Sequence, residues 1–226
     1  MRSLARKESV DHIAFFDGAH KERVERHIAI ERAMSSKSFF SQLSVLYQPI
    51  VHMPTRRTIG YEGLVRWNHS ELGAISPCEF IGTAEENGMI LDIGAFVIDK
   101  AVSTARRLRE QARTDSTRTD MPFVSINVSP VQLLEDGLPE YILNKLDKAG
   151  LPVSSIKLEI TETSIDESHE TFRRATEAFA RASSMMAIAE GIETYAHAKM
   201  VMDAGCIIGQ GYLFGKPAPV TGALHG

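Results

Sequence analysis

The chain has 226 residues, a formal net charge of −4 at pH 7, and a composition that is 43% hydrophobic and 24% charged. These values are ordinary for a globular protein and exclude collagen-like, low-complexity and wholly disordered chains. The acidic balance disfavours a DNA or RNA partner, because proteins that grip a nucleic-acid backbone usually carry a basic footprint. No apolar run approaches the roughly 20 residues of a membrane-spanning helix, so no membrane insertion is expected.

Two features favour the cytoplasm. Residues 1–10 are charged and lack the apolar centre of a secretory signal peptide. The two cysteines, Cys78 and Cys206, are far apart and form no CxxC pair, which fits a reducing compartment. Both are expected to be small buried hydrophobic side chains.

The predicted elements begin with one charged helix and then alternate between strands and helices. In residues 20–34, Val24, Ile28 and Ile30 are set among alternating charges, which predicts an amphipathic helix. Pro77 at a helix start and Gly88 at its end bound a second helix. The further pattern predicts strands at 45–51, 58–67, 123–128, 156–161, 185–189 and 206–208, and helices at 77–87, 93–111, 132–149, 168–182 and 195–204.

Repeated strand–helix units predict a mostly parallel sheet, which gathers functional residues at the carboxyl ends of its strands. Polar residues stand at or near these ends, namely Glu62, Asn127, Glu159, Glu162, Glu190, Glu193 and Gln210. Each glutamate alone could be solvated or could cap the next helix. Several carboxylates on one rim would repel one another, and a divalent cation would relieve that repulsion. Oxygen ligands favour Mg²⁺ or Mn²⁺ over Zn²⁺.

A series of short motifs follows in order along residues 43–219. They are YQPI (47–50), GYEGLVRW (60–67), LGAISP (72–77), AEENG (84–88), INVS (126–129), LEITE (158–162), AEGIET (189–194) and QGYLF (210–214). Together they resemble the EAL family of cyclic di-GMP phosphodiesterases, with Glu-Gly-Leu at 62–64 in place of the Glu-Ala-Leu signature. The resemblance implies a TIM-like (β/α) barrel that hydrolyses cyclic di-GMP to its linear dinucleotide with the help of Mg²⁺ or Mn²⁺.

The resemblance also implies roles for individual residues. The positions that match metal ligands are Glu62, Asn127, Glu159 and Glu190. The positions that match catalytic residues are Glu62, Glu159, Glu190 and Gln210, with Glu162 and Glu193 in support. The positions that match the lining of the dinucleotide site are Gln48, Leu64, Arg66 and Pro217. Arg66 suits this task, because a guanidinium can form paired hydrogen bonds with phosphate oxygens.

Two further motifs of the family are missing between Glu162 and Glu190. These are the Asp-Asp-Phe-Gly-Thr-Gly and the Lys-Ile-Asp motifs, and the interval is short by on the order of fifty residues, or about two βα units. We therefore expect an incomplete barrel with about six of its eight strands. The family's metal bridge and catalytic lysine are lost with these units, so we expect weakened metal binding and little or no phosphodiesterase activity.

The expected organisation is a helical arm at residues 1–38, which resembles the segment after a diguanylate-cyclase-type domain, followed by a truncated EAL domain at 39–226. Three functions remain open. The domain could bind cyclic di-GMP or a protein partner without hydrolysis. It could be an active phosphodiesterase completed across a homodimer, or with Asp166 or Glu167 as substitute acids. It could also be a decayed fragment without function.

Overall fold

The computed structural model describes residues 18–114, 121–134, 137–159, 188–203 and 206–219. The helices are α1 (Gly18–Met34), α2 (Phe39–Gln42), α3 (Pro77–Glu86), α4 (Ile90–Thr114), α5 (Pro130–Leu134), α6 (Leu138–Lys148) and α7 (Tyr195–Asp203), with a 3₁₀ turn at Val153–Ser155. The strands are β1 (Leu43–His52), β2 (Arg57–His69), β3 (Gly73–Ile75), β4 (Phe123–Asn127), β5 (Ile156–Glu159) and β6 (Ile208–Gln210).

The strands form one sheet in the order β5-β4-β2-β1-β6, with β3 attached to β2. β2, β4 and β5 run parallel to one another, as the strand–helix alternation predicts. β1 instead forms an antiparallel hairpin with β2 and also pairs antiparallel with β6. The fold is thus the predicted α/β type, an incomplete TIM-like barrel. The expectation of a mostly parallel sheet fails at β1, because the short turn between β1 and β2 makes these two strands run antiparallel.

Most predicted elements are found within a few residues of their expected bounds. The predicted helix at 132–149 is instead two helices, α5 and α6, and Gly137, with a positive φ of 102°, stands directly before α6. The last strand lies at 208–210 rather than 206–208, and neither α2 nor β3 was predicted. The predicted helix at 168–182 and most of the predicted strand at 185–189 lie outside the described residues.

Helix α3 is fixed by its first turn and by its buried face. Ser76 and Glu79 form a reciprocal capping box, and Pro77 occupies the first turn, where it costs no hydrogen bond. Phe80 is fully buried and packs edge-on against Trp67, with the ring centroids 5.5 Å apart. The indole nitrogen of Trp67 donates a hydrogen bond to Gln42, so β2, α2 and α3 share one aromatic core.

Helix α1 docks against α3 through its last turns. Ile30 and Met34 are buried in the main core, and the Arg26 guanidinium forms an ion pair with Glu79 at 2.5 Å. This contact raises the pKa of Arg26 and lowers that of Glu79, but the pair is solvent-exposed and adds little stability. The predicted helix is therefore present, but its predicted apolar face is not, because Ile30 is buried whereas Val24 and Ile28 are exposed.

Two remaining expectations concern the cysteines and the membrane. Cys78 lies exposed near the start of α3 and Cys206 is half-buried, so the expectation of burial is wrong for Cys78. The reason is that Cys78 falls on the solvent side of α3, opposite Phe80. Across the described ranges, no helix has the length and apolar character required to cross a bilayer.

Replacement of Phe80 by alanine should lower the free energy of unfolding by about 3–5 kcal/mol, because it leaves a cavity beneath Trp67. Phe80 is 0% exposed, whereas Phe40 is 37% exposed and provides a control of the same residue type. Urea unfolding of Phe80→Ala and Phe40→Ala measures the difference. An equal loss in both variants would contradict the assignment of the core.

Candidate active site

Three predicted residues meet on the parallel part of the sheet. Asn127 and Glu159 are direct neighbours across β4 and β5, and Glu62 lies on the adjoining strand β2. The Asn127 side-chain amide donates a hydrogen bond to Oε1 of Glu62 at 2.7 Å. The parallel register of the strands therefore brings residues that are far apart in sequence into contact.

The other side of Glu62 is reached from the antiparallel strands. The Gln210 amide donates to Oε2 of Glu62 and also to Oε1 of Gln48, the latter at 3.3 Å. Gln48 in turn donates to the carbonyl of Gly215 at 3.0 Å. Glu62 is 8% exposed, and both glutamines are also buried. Amide donors thus satisfy both oxygens of a buried carboxylate, which would otherwise be costly to desolvate.

Glu159 sits in a setting that disfavours its charge. Burial raises the pKa of Glu159 to about 7, and repulsion from Glu62 and Glu190 acts in the same direction. The nearby Ser125 hydroxyl opposes part of this rise, although it is buried and has no partner of good hydrogen-bond geometry among the described residues. Glu159 therefore takes up or releases a proton near neutral pH, as is common for carboxylates in active sites.

Glu190 and Glu193 border a cleft beside the amide-bound carboxylate. The cleft has a volume of about 310 Å³, and its wall also includes Gln48, Glu62, Leu64, Gln210 and Tyr212. The segment is held against β6, because Ile192 and Gln210 share a backbone hydrogen bond of 3.0 Å. A side chain at Gly211 would lie 2.1 Å from the Ile192 carbonyl, so this close approach requires glycine.

A second, larger cleft opens next to the first. It has a volume of about 520 Å³, and Leu64, Arg66 and Asn127 form part of its wall. Arg66 is half-buried and donates to the carbonyl of Val65 at 2.9 Å, so its guanidinium stays at this opening. Pro217 lines neither cleft but precedes Ala218, whose backbone pairs with Tyr47 beside Gln48.

The predicted residues therefore differ in how closely they assemble. Hydrogen bonds join Gln48, Glu62, Asn127 and Gln210. Glu159 and Glu190 are near enough for their carboxylates to interact, since Glu159 is repelled by both Glu62 and Glu190. Glu193 and Leu64 share the smaller cleft, and Glu162 lies outside the described residues. Sequence reasoning missed Ser125 and Tyr212. The signal for Ser125 was available, since it is the polar residue in the middle of the apolar strand Phe123–Asn127.

The side chains suit a hard divalent cation in their chemistry, since carboxylate and amide oxygens are the ligands that Mg²⁺ and Mn²⁺ prefer. Within the described part of the chain, no three acidic, histidine or cysteine side chains lie close enough to form a complete cage. The side-chain amides of Asn127 and Gln210 donate from their nitrogen atoms to Glu62. Each amide group would have to rotate before its oxygen could bind a cation. The described residues thus provide a partial set of ligands.

Comparison with known proteins gives a consistent answer. The model of the EAL domain family matches residues 29–183. A protein of Escherichia coli (strain K12), named as the probable cyclic di-GMP phosphodiesterase PdeI, is 29% identical over 97% of this chain and 34% of its own length. The bifunctional diguanylate cyclase/cyclic di-GMP phosphodiesterase MucR of Pseudomonas aeruginosa is 25% identical over 93% and 38%. This chain therefore spans little more than a third of these relatives.

Solved structures share the fold. The EAL enzyme Bd1971, in a form bound to cAMP and cyclic di-GMP, matches with a TM-score of 0.75 and 23% identity, over 90% of this chain and 68% of that one. The phosphodiesterase domain of PaMucR, in complex with cyclic di-GMP, matches with a TM-score of 0.71 and 23% identity, over 88% and 100%. The predicted resemblance and the predicted fold are confirmed.

The length of the sequence alignment bears on the missing units. The match to PdeI runs over 273 positions, whereas 97% of 226 residues is about 219. About 54 positions of that alignment therefore have no counterpart in this chain, which agrees in size with the interval that the sequence predicts to be lost.

The raised pKa of Glu159 predicts a specific dependence of stability on pH. The folded protein keeps a proton on Glu159 up to about pH 7, whereas the unfolded chain loses it near pH 4.5. This group therefore lowers stability progressively as the pH rises from about 4.5 to 7, and its cost then levels off. Without divalent metal, Glu159→Gln should be more stable than the wild type by about 1–3 kcal/mol at pH 8 and nearly equal at pH 4.

Urea unfolding in EDTA at a series of pH values measures this difference. Glu140→Gln provides the control, because Glu140 is an exposed glutamate on α6, away from the clefts. A constant difference between Glu159→Gln and the wild type across this range would contradict the burial of Glu159.

Proposed function

This chain belongs to the EAL domain family, and on that premise we propose that it binds cyclic di-GMP at the rim of its incomplete barrel with little or no hydrolysis. The observation that carries the proposal is the hydrogen-bonded group formed by Gln48, Glu62, Asn127 and Gln210 beside the two clefts. The compartment expected for this function is the cytoplasm, and the two cysteines, neither of which forms a disulfide, support it.

Binding of the dinucleotide would use both clefts. Arg66 stands in the wall of the larger cleft and would bind a phosphate oxygen, since guanidinium is suited to paired hydrogen bonds with phosphate. Leu64 belongs to both walls and would contact a base or ribose through its apolar surface. Gln48 and Pro217 are proposed to complete the lining near β1.

A divalent cation, Mg²⁺ or Mn²⁺, is proposed to bind at Glu62, Asn127, Glu159 and Glu190, with Glu162 and Glu193 in support. When bound, such an ion neutralises phosphate charge and lowers the pKa of a coordinated water. The chain's own contribution is to hold Glu62 between two amides and to place Gln210 where it could orient a water molecule. Because the described ligand set is partial, the affinity for metal is expected to be weak.

The proposed loss of catalysis rests on two motifs that the sequence lacks. Neither the Asp-Asp-Phe-Gly-Thr-Gly motif nor the Lys-Ile-Asp motif occurs in the chain. Two-metal hydrolysis requires both ions at about 3.5–4 Å from each other, and a bridging carboxylate holds them there. Residues that act as one unit cost orders of magnitude in rate when part of the unit is removed. The proposed role is therefore that of a binding domain at residues 39–226, preceded by the helical arm at 1–38.

Other functions would give distinct results. A phosphodiesterase completed across a homodimer would produce linear dinucleotide at a rate that rises more than proportionally with protein concentration. A domain that binds a protein partner instead would unfold cooperatively but show no response to cyclic di-GMP. A decayed fragment would show no cooperative unfolding at all.

Thermal unfolding with cyclic di-GMP and Mg²⁺ tests the binding proposal. At a ligand concentration about 100 times the Kd, we expect stabilisation of about 2.7 kcal/mol, or a rise in Tm of roughly 5–10 °C. Arg66→Ala should lose most of this rise. Arg106→Ala should keep it, because Arg106 is exposed on α4 and pairs with Glu110. An unchanged Tm in the wild type would contradict the proposal.

The absence of hydrolysis is tested separately. Wild-type protein incubated with cyclic di-GMP and Mn²⁺ should give no linear dinucleotide by anion-exchange chromatography over hours, and EDTA should not change this result. Metal-dependent product that disappears in Glu62→Ala would show that the site is still an active phosphodiesterase.

A further inference from the structure

A second set of hydrogen bonds lies beside Asn127 in the wall of the larger cleft, at positions to which the family resemblance assigns no role. Ser129, two residues after Asn127, donates from its hydroxyl to Oε1 of Glu85 at 2.5 Å. The two residues are 44 positions apart in the chain, so this bond ties the end of α3 to the turn after β4.

The turn itself is closed by Gln132. The Ser129 hydroxyl accepts from the Val131 amide at 3.3 Å, and Oε1 of Gln132 accepts from the Ser129 amide at 3.1 Å. Together these two contacts cap the first turn of α5. Gln132 is buried, and a side chain at Gly94 of α4 would lie 1.7 Å from its amide nitrogen. Glycine at position 94 therefore leaves the space that Gln132 occupies.

Backbone contacts hold the chain up to the point where it leaves the sheet. Asn127 is the last residue of β4 and its side chain is exposed, while Val128 is held by a backbone hydrogen bond to Glu159 at 3.0 Å. At Ser129, where the chain leaves the sheet, both Gln132 and Glu85 form hydrogen bonds with Ser129. Glu85 is the partner from outside the turn, and it lies on α3 next to the fully buried Ala84.

We infer that Glu85 is a positioning residue, which holds Asn127 in place for Glu62 and the cation through its hydrogen bond to Ser129. This inference deepens the proposed function, and its consequence for ligand binding rests on that function. The consequence for the geometry of Asn127 does not, because the Asn127–Glu62 hydrogen bond joins two side chains of the protein itself.

The geometry can be followed directly by NMR. The chain has four asparagines, namely Asn68, Asn87, Asn127 and Asn144, so selective ¹⁵N-asparagine labelling gives few side-chain amide signals. Asn127→Asp identifies the signal of interest. Glu85→Ala and Ser129→Ala should each shift the Asn127 signal, and Glu85→Gln, which keeps an acceptor oxygen, should restore it. Glu86→Ala is the matched control, because Glu86 is the adjacent exposed glutamate on α3.

Metal binding supplies the second readout. Mn²⁺ titrated calorimetrically into Glu85→Ala should bind about 10-fold more weakly than to the wild type, the lower range of loss for residues that orient metal ligands. The double variant Glu85→Ala/Ser129→Ala should bind no more weakly than either single variant, because both act through one hydrogen bond. Tm values of all variants, measured without ligand, should show that each remains folded.

Three results bear on the inference in different ways. An unshifted Asn127 signal in both alanine variants would overturn it, whatever the metal affinity. A loss of cyclic di-GMP affinity on Glu85→Ala that persists in full when Ser129 is already alanine would show direct contact with the ligand, and would also overturn it. If the wild type binds neither Mn²⁺ nor cyclic di-GMP, the proposed function fails, and the Asn127 signal alone then decides whether Glu85 positions that side chain.

Discussion

The site depends on one buried carboxylate, that of Glu62 on the central strand β2. A carboxylate taken out of water is strongly destabilising unless donors replace the lost hydration. Here the donors come from both directions, from Asn127 on β4 and from Gln210 on β6, and Gln48 on β1 links the second donor to the sheet. Four strands are thus tied to a single acidic group, and the order β4-β2-β1-β6 is the arrangement that brings these donors within reach.

The same arrangement bears on the proposed cation site. Glu62 is satisfied by amide hydrogens, so the folded state does not need a metal ion to compensate its charge. Glu159 instead responds by favouring its protonated form, since it is buried near two other carboxylates. Under the proposed function, these side-chain contacts hold the rim without a second metal ion, whereas two-metal hydrolysis would need both ions at a fixed separation.

The sequence predicts the parallel part of the site better than the antiparallel part. Alternation of strands and helices predicts that Asn127 and Glu159 meet at one edge of the sheet, and the parallel register brings them near Glu62 in the middle of β2. The contact of Gln48 with Gln210 depends on β1 running antiparallel to β6, which no local pattern of residues specifies. Ser129 is equally hidden from sequence reasoning, because its partner Glu85 is brought to it by the packing of α3 rather than by spacing along the chain.

The pairing of strands also shows why an internal deletion is compatible with this site. The described sheet ends at β5 on one side, and on the other side Ala189 bridges to Gly209 of β6. The motifs missing from the sequence belong between Glu159 and Glu190, so the lost units would lie between these two ends of the sheet. Every strand pairing that supports Glu62 lies in the sheet from β4 through β2 and β1 to β6. A deletion confined to that gap would remove the two missing motifs and leave the amide-bound carboxylate, the two clefts and Arg66 in place, as the proposed binding function requires.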